Sequence, residues 1–143
     1  MIRFGGLTKR QRSNIHAMTV AAVLLCGCDR PIAFPALQGI TQVTVRTNHD
    51  RIVKTISEPR AVAAIVAFAN AHRNGWRVPW AGVPVPQLVV EFHRGEAFAG
   101  HLGVGRTFFE TQREGMFAAQ PASATERAAF LALLEVQPEE DAR

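Results

Sequence analysis

The chain has 143 residues, 16 of them basic and 12 acidic, for a formal net charge of +4, with two cysteines and no tyrosine. The excess is confined to the start: Arg3, Lys9, Arg10 and Arg12 precede Cys28, every acidic residue follows it, and 12 charges of each sign remain from Cys28 onward. That balance excludes a basic nucleic-acid-binding domain, and what remains suits a single domain with one core.

Residues 1–27 have the three parts of an export signal: a basic start without acids, an apolar run from Ala17 to Leu25, and a small-residue stretch ending at Gly27. The run is too short for a bilayer span, which takes about 20 helical residues. It leads into Leu25-Cys26-Gly27-Cys28, which resembles the lipobox of bacterial lipoproteins. The resemblance implies cleavage before Cys28 and a thioether-linked diacylglycerol on that cysteine, with a third acyl chain in Gram-negative bacteria. It also implies a protein anchored by lipid in the cell envelope and facing the periplasm. Asp29 is similar to a sorting signal for the inner membrane, so inner and outer membrane both stay open, with Asp29 on the side of the inner. Two other readings of the residues stand beside it: a secretory signal cut near Gly27 with Cys28 incidental, and a Cys26–Cys28 disulfide or half metal site.

Residues 28–39 read as a lipidated tether, because Pro31 and Pro35 discourage regular structure. Residues 40–137 read as the globular domain. Ile40–Arg46 and Arg51–Ile56 alternate apolar and polar residues around Thr47-Asn48-His49-Asp50, the pattern of a hairpin. A helix is predicted over 58–74, with Ser57 as its cap, Pro59 in its first turn and Asn74-Gly75 as its stop. Its buried stripe is Val62, Ile65, Val66, Phe68 and Ala69. Residues 76–86 form a proline-bearing loop.

Gln87–His93 is the clearest strand, and Arg94-Gly95-Glu96 turns it back into Ala97–Leu102. Pairing Phe92 with Phe98 is the register expected there. Arg106–Gln112 and Met116–Gln120 complete the strands. A capping box, Ser123-Ala124-Thr125-Glu126, opens a second helix that buries Phe130, Leu133 and Leu134. Residues 138–143 are an acidic tail. The fold class expected is α+β: an antiparallel sheet of five or six strands with two helices on one face.

The chemistry is sparse. From Cys28 onward the only serines are Ser57 and Ser123, both expected as helix caps. An activated nucleophile beside a base is therefore hard to assemble, and no catalytic residue or cofactor is expected. Gly100-x-x-Gly103-x-Gly105 precedes a strand rather than a helix, so it reads as a bulge, turn or close backbone contact and not as a phosphate loop. Glu91, His93 and His101 share one face of the expected hairpin and are candidate ligands for a divalent metal; the rival reading is an ordinary polar face. Trp76, Arg77 and Trp80 are the candidate binding surface, since tryptophan and arginine are enriched at contact hot spots; the rival reading folds both tryptophans onto the core. The function expected is a non-enzymatic binding or envelope-assembly component with an envelope protein as partner. The alternatives are an inhibitor of an envelope or host hydrolase, and a divalent-metal-binding protein.

Overall fold

Apolar side chains from one face of a six-stranded sheet are buried with those of two helices. A computed structural model of the chain describes residues 31–137 except Val83 and Glu114. In chain order the elements are β1 (Gln42–Thr47), β2 (Ile52–Ile56), α1 (Pro59–Ala71), β3 (Leu88–Arg94), β4 (Ala97–Val104), β5 (Phe108–Arg113), β6 (Met116–Pro121) and α2 (Ala124–Leu134). The strands form one antiparallel sheet in the order β2-β1-β3-β4-β5-β6. The domain is α+β, as the alternation predicts.

The core lies between the helices and one face of the sheet. Val43 and Val45 of β1, Val90 and Phe92 of β3, Leu102 and Val104 of β4 and Phe109 of β5 are buried there with Val62 and Ile65 of α1 and Phe130 and Leu134 of α2. Phe109 stands edge-on to Phe68 and Phe130, which tie the two helices to β5. In α2 the buried leucines are Leu131 and Leu134, and Leu133 points out, contrary to expectation. At about 100° per residue, Phe130, Leu131 and Leu134 share a stripe that Leu133 leaves.

The cap of α1 is Glu58 and not Ser57. Glu58 has extended backbone (φ −66°, ψ 122°), and its carboxylate accepts from the N–H groups of Arg60 and Ala61 at 3.0 and 2.6 Å. Pro59 causes the shift: a residue before proline is pushed out of the helical region, so the position before it becomes the cap. Ser123 caps α2 with the reciprocal Glu126 contact that the sequence predicts.

The β3–β4 hairpin corrects the expected register. Phe92 lies opposite Gly100, His93 opposite Phe98 and Arg94 opposite Ala97, with an irregularity between Phe92 and His93. Gly95, the first residue of the two-residue turn, has a φ of +60°, which glycine adopts at no steric penalty. Gly100, at φ +142°, lets β4 absorb one extra residue. That residue moves Phe98 out of the core, to the side of His93 and His101.

Residues 32–39 are built into the fold and do not hang as a tether. Ile32 and Trp76 exchange backbone hydrogen bonds at 2.6 and 3.1 Å, and Phe34 N–H donates to the Arg73 carbonyl. Asn70 binds both backbone groups of Leu37, at 2.7 and 3.1 Å. Arg113 donates to the Pro35 carbonyl and Arg94 to that of Gln38. Phe34 and Leu37 sit in the core. The prolines prevent regular structure, but side chains from three elements and the backbone after α1 satisfy groups that a helix or sheet would otherwise satisfy.

Candidate functional site

The candidate site residues fall into three places. Cys28 and Asp29, with the rest of the lipobox, lie outside the described residues, as does the acidic tail. Among the described residues no helix is long and apolar enough to cross a membrane.

The loop after α1 divides the three residues expected to act together. Trp76 is 2% exposed, edge-on to Phe34, and its indole N–H donates to the His72 carbonyl at 2.7 Å. It is a core residue with its polar atom satisfied, as a buried indole requires. Arg77 is exposed, and its backbone is bridged to Ala119 of β6 by hydrogen bonds of 3.0 and 2.9 Å. Trp80 is 98% exposed, with Val78 and Val85 at 60% and 74%. The chain between runs from Arg77, bonded to β6, to Gln87, whose N–H donates to Val104 in β4. Folding back onto the core describes Trp76 alone; a surface on this loop consists of Val78, Trp80 and Val85.

The face of the sheet away from the helices gathers the polar candidates. Glu91 lies directly opposite His101, not diagonal to it as the expected register has it. Glu91 accepts from Arg46 Nε at 3.0 Å, and His93 Nε2 is 3.5 Å from the same carboxylate oxygen. The hydrogen bond that Arg46 donates to Glu91, followed by the Coulomb attraction of that carboxylate, raises the guanidinium pKa further above its already high ordinary value, with burial opposing. His101 turns the other way, and its Nε2 donates to Glu110 Oε1 at 2.6 Å. The three candidate ligands are therefore on one face but divided between two pairings. Among the described residues no group of three His, Cys, Asp or Glu is arranged to hold a metal ion.

Glu110 is the residue that sequence reasoning left without a role. Its side chain lies flat over Gly103, where a Cβ would sit 2.6 Å from its Cγ and Oε1. The bare glycine backbone lets the carboxylate be 3% exposed on the face away from α1 and α2. The signal in the sequence was the glycine: Gly103 faces Glu110 in the β4–β5 ladder, and a glycine inside a strand marks a close approach. Gly105 does the same for the ring of Phe108. The Thr111 hydroxyl donates to the His101 carbonyl at 2.6 Å. The arrangement fixes side chains on a sheet surface and presents no activated nucleophile.

A groove of about 460 Å³ runs between the chain at Gly39–Thr41 and the first turns of α1, lined by Pro59, Val62, Ala63 and Val66 with Ser57 at its edge. It holds no titratable side chain.

No family model, no curated protein and no solved structure matches the chain.

Proposed function

We propose that the chain is a lipid-anchored envelope protein, acylated at Cys28 and facing the periplasm, that acts by binding rather than by catalysis. Asp29 favours the inner over the outer membrane in this reading. Its contact surface is the loop of Val78, Trp80 and Val85, and the surface it meets is a component of the envelope. One observation carries the reading: the lipobox-like Leu25-Cys26-Gly27-Cys28 ends four residues before Ile32, which is bonded to Trp76 within the domain. A lipid attachment there needs no further linker.

Three further points support it. The charge balance from Cys28 onward gives no attraction to nucleic acid. Ser123 is committed to its helix cap and Thr111 to a backbone carbonyl. Trp80 offers a large, nearly bare indole on a proline-stiffened loop, the type of side chain that dominates contact energies.

The test is metabolic labelling of the full chain with an alkyne palmitate analogue in a Gram-negative host, beside Cys28→Ala. Label on the wild type and none on the variant is the expected result; equal labelling, or none on either, overturns the anchor. A photo-crosslinking amino acid at position 80 tests the surface. Adducts to envelope material are expected, and an absence of adducts removes the loop.

A further inference from the structure

We infer that the exposed loop of Val78, Trp80 and Val85 seats on the lipid headgroup surface of the same bilayer that holds the acylated N-terminus. This inference rests on acylation of Cys28 and names the partner of the contact surface given above.

Covalent reach is the first argument. Ile32 is fixed to Trp76 by two backbone hydrogen bonds. Four residue steps separate Cys28 from Ile32, a reach of at most about 14 Å. An acylated cysteine sits at the headgroup level, since its chains enter the hydrocarbon. The Ile32–Trp76 bridge is then held within about that distance of the lipid surface. Trp80 lies four residue steps beyond Trp76, so it stays within about 14 Å of the same bridge. A longer, free tether would have allowed the domain to turn any side to the membrane. With Phe34 and Leu37 locked into the core, the anchored chain is too short for that.

Chemistry is the second argument. An indole prefers the boundary between hydrocarbon and water, where its ring is desolvated and its N–H stays hydrated. Trp80 has that boundary within reach, and Val78 and Val85 add apolar surface on the same loop. No acidic residue occurs between Glu58 and Glu91. Arg73 and Arg77, three residues before Trp76 and one after it, are both exposed. A stretch without acids that carries arginines suits an anionic lipid surface. A protein partner explains the tryptophan but gives no reason for its place beside the attachment point.

The chain has two tryptophans, one buried and one bare, so fluorescence reads the question directly. The full chain is produced in a Gram-negative host, purified from membranes, weighed intact to establish acylation of Cys28, and placed in phosphatidylcholine–phosphatidylglycerol vesicles with or without shallow brominated chains. Trp80→Phe leaves only the Trp76 signal, and the difference from wild type isolates Trp80. The expected result is a blue-shifted Trp80 emission, largely quenched by the brominated lipid and shielded from aqueous iodide. Acylated protein whose Trp80 stays open to iodide and unquenched by bromine overturns the inference and leaves the anchor standing. An intact mass with unmodified Cys28 overturns the anchor itself and this inference with it. Crosslinks from position 80 that capture protein and no lipid also overturn it.

Discussion

His101 and Glu110 meet across β4 and β5 with 2.6 Å between Nε2 and Oε1, and the second carboxylate oxygen of Glu110 is buried without a partner among the described residues. Among the described residues, the imidazole is thus the one side-chain partner of a carboxylate that is nearly out of water. Removing the donor strands the acceptor. His101→Ala is expected to destabilise the domain by about 3 kcal/mol, the usual scale for leaving one member of a buried polar pair uncompensated. Replacing both, with His101→Phe and Glu110→Leu, is expected to cost about 1 kcal/mol or less, since apolar side chains of similar volume need no partner. Urea denaturation of the three proteins checks this. A single variant no worse than the double would show that the pair carries no such coupling.

The same carboxylate defines what position 103 tolerates. A Cβ at Gly103 would meet Cγ and Oε1 of Glu110 at 2.6 Å and Cδ at 2.9 Å. Gly103→Ala is expected to cost about 1–3 kcal/mol through overpacking. The clash should vanish in Gly103→Ala with Glu110→Ala, so the two changes together should cost less than the sum of their separate effects. Strict additivity in denaturant midpoints would place the glycine's importance elsewhere than under Glu110.

The cap of α1 gives a contrast between neighbours. Glu58→Ala should cost about 1 kcal/mol, because two backbone N–H groups lose their acceptor. Ser57→Ala should fall within about 0.5 kcal/mol, the range of surface substitutions that touch no such feature. Thermal melts of the two variants decide between them, and the reverse order would restore Ser57 as the cap.

How far the sequence revealed the fold depends on how local the determinants are. Strand β3 was legible because Leu88, Val90 and Phe92 recur at every second position, and the other strands because turn residues bound each short run. The cap at Ser123 was legible because its partner is three residues away. The bulge at Gly100 was not, since Gly95-Glu96 allows more than one register and the choice is made by which residues reach the core across the sheet. The burial of Phe34 and Leu37 was not legible either, because a segment held by Asn70, Arg94 and Arg113 has no period of its own. Trp76 and Trp80 look equivalent in sequence. The Ile32 bridge and the His72 carbonyl draw one of them inward; the carbonyl is four residues away, but the bridge is tertiary. Of the candidate site, Glu91, His93 and His101 were placed on one face, but the Glu110 pairing that takes His101 depends on the β4–β5 ladder.

Acid should loosen the end of α2 first at Glu126. The Ser123 hydroxyl, then the Ser123 backbone N–H, and lastly His72 favour the ionised carboxylate and hold it below its ordinary 4.5. A carboxyl depressed in the folded state contributes stability that is complete above its unfolded value and is lost as pH falls through the folded one. Glu135 behaves alike, held down by the Lys54 ammonium. Stability should therefore be insensitive to these groups at neutral pH and decline below about pH 4.5. Glu126→Gln should flatten part of that decline while lowering stability at pH 7. Melts of both proteins between neutral and acid pH test it, and identical acid slopes would remove Glu126 from the titration.

The segment before β1 offers the strongest stability test, because the tether reading and the built-in reading disagree about it. A free tether can lose its side chains without consequence. A built-in segment cannot: Phe34 packs on Trp76 and under the Arg113 guanidinium, which sits 5.6 Å from the ring centroid. Burial holds the Arg113 pKa below its ordinary value, so the charge is partly desolvated there, and removing the ring also removes a surface it leans on. Phe34→Ala is expected to cost about 3–4 kcal/mol, within the range for truncating a buried phenylalanine. Asn70→Ala should cost about 2 kcal/mol, since both backbone groups of Leu37 lose their partner together. The Leu37 amide should also exchange its proton faster in Asn70→Ala than in the wild type. Full stability in both variants, with an unchanged Leu37 amide, would return residues 32–39 to the status of a linker and lengthen the leash on the domain.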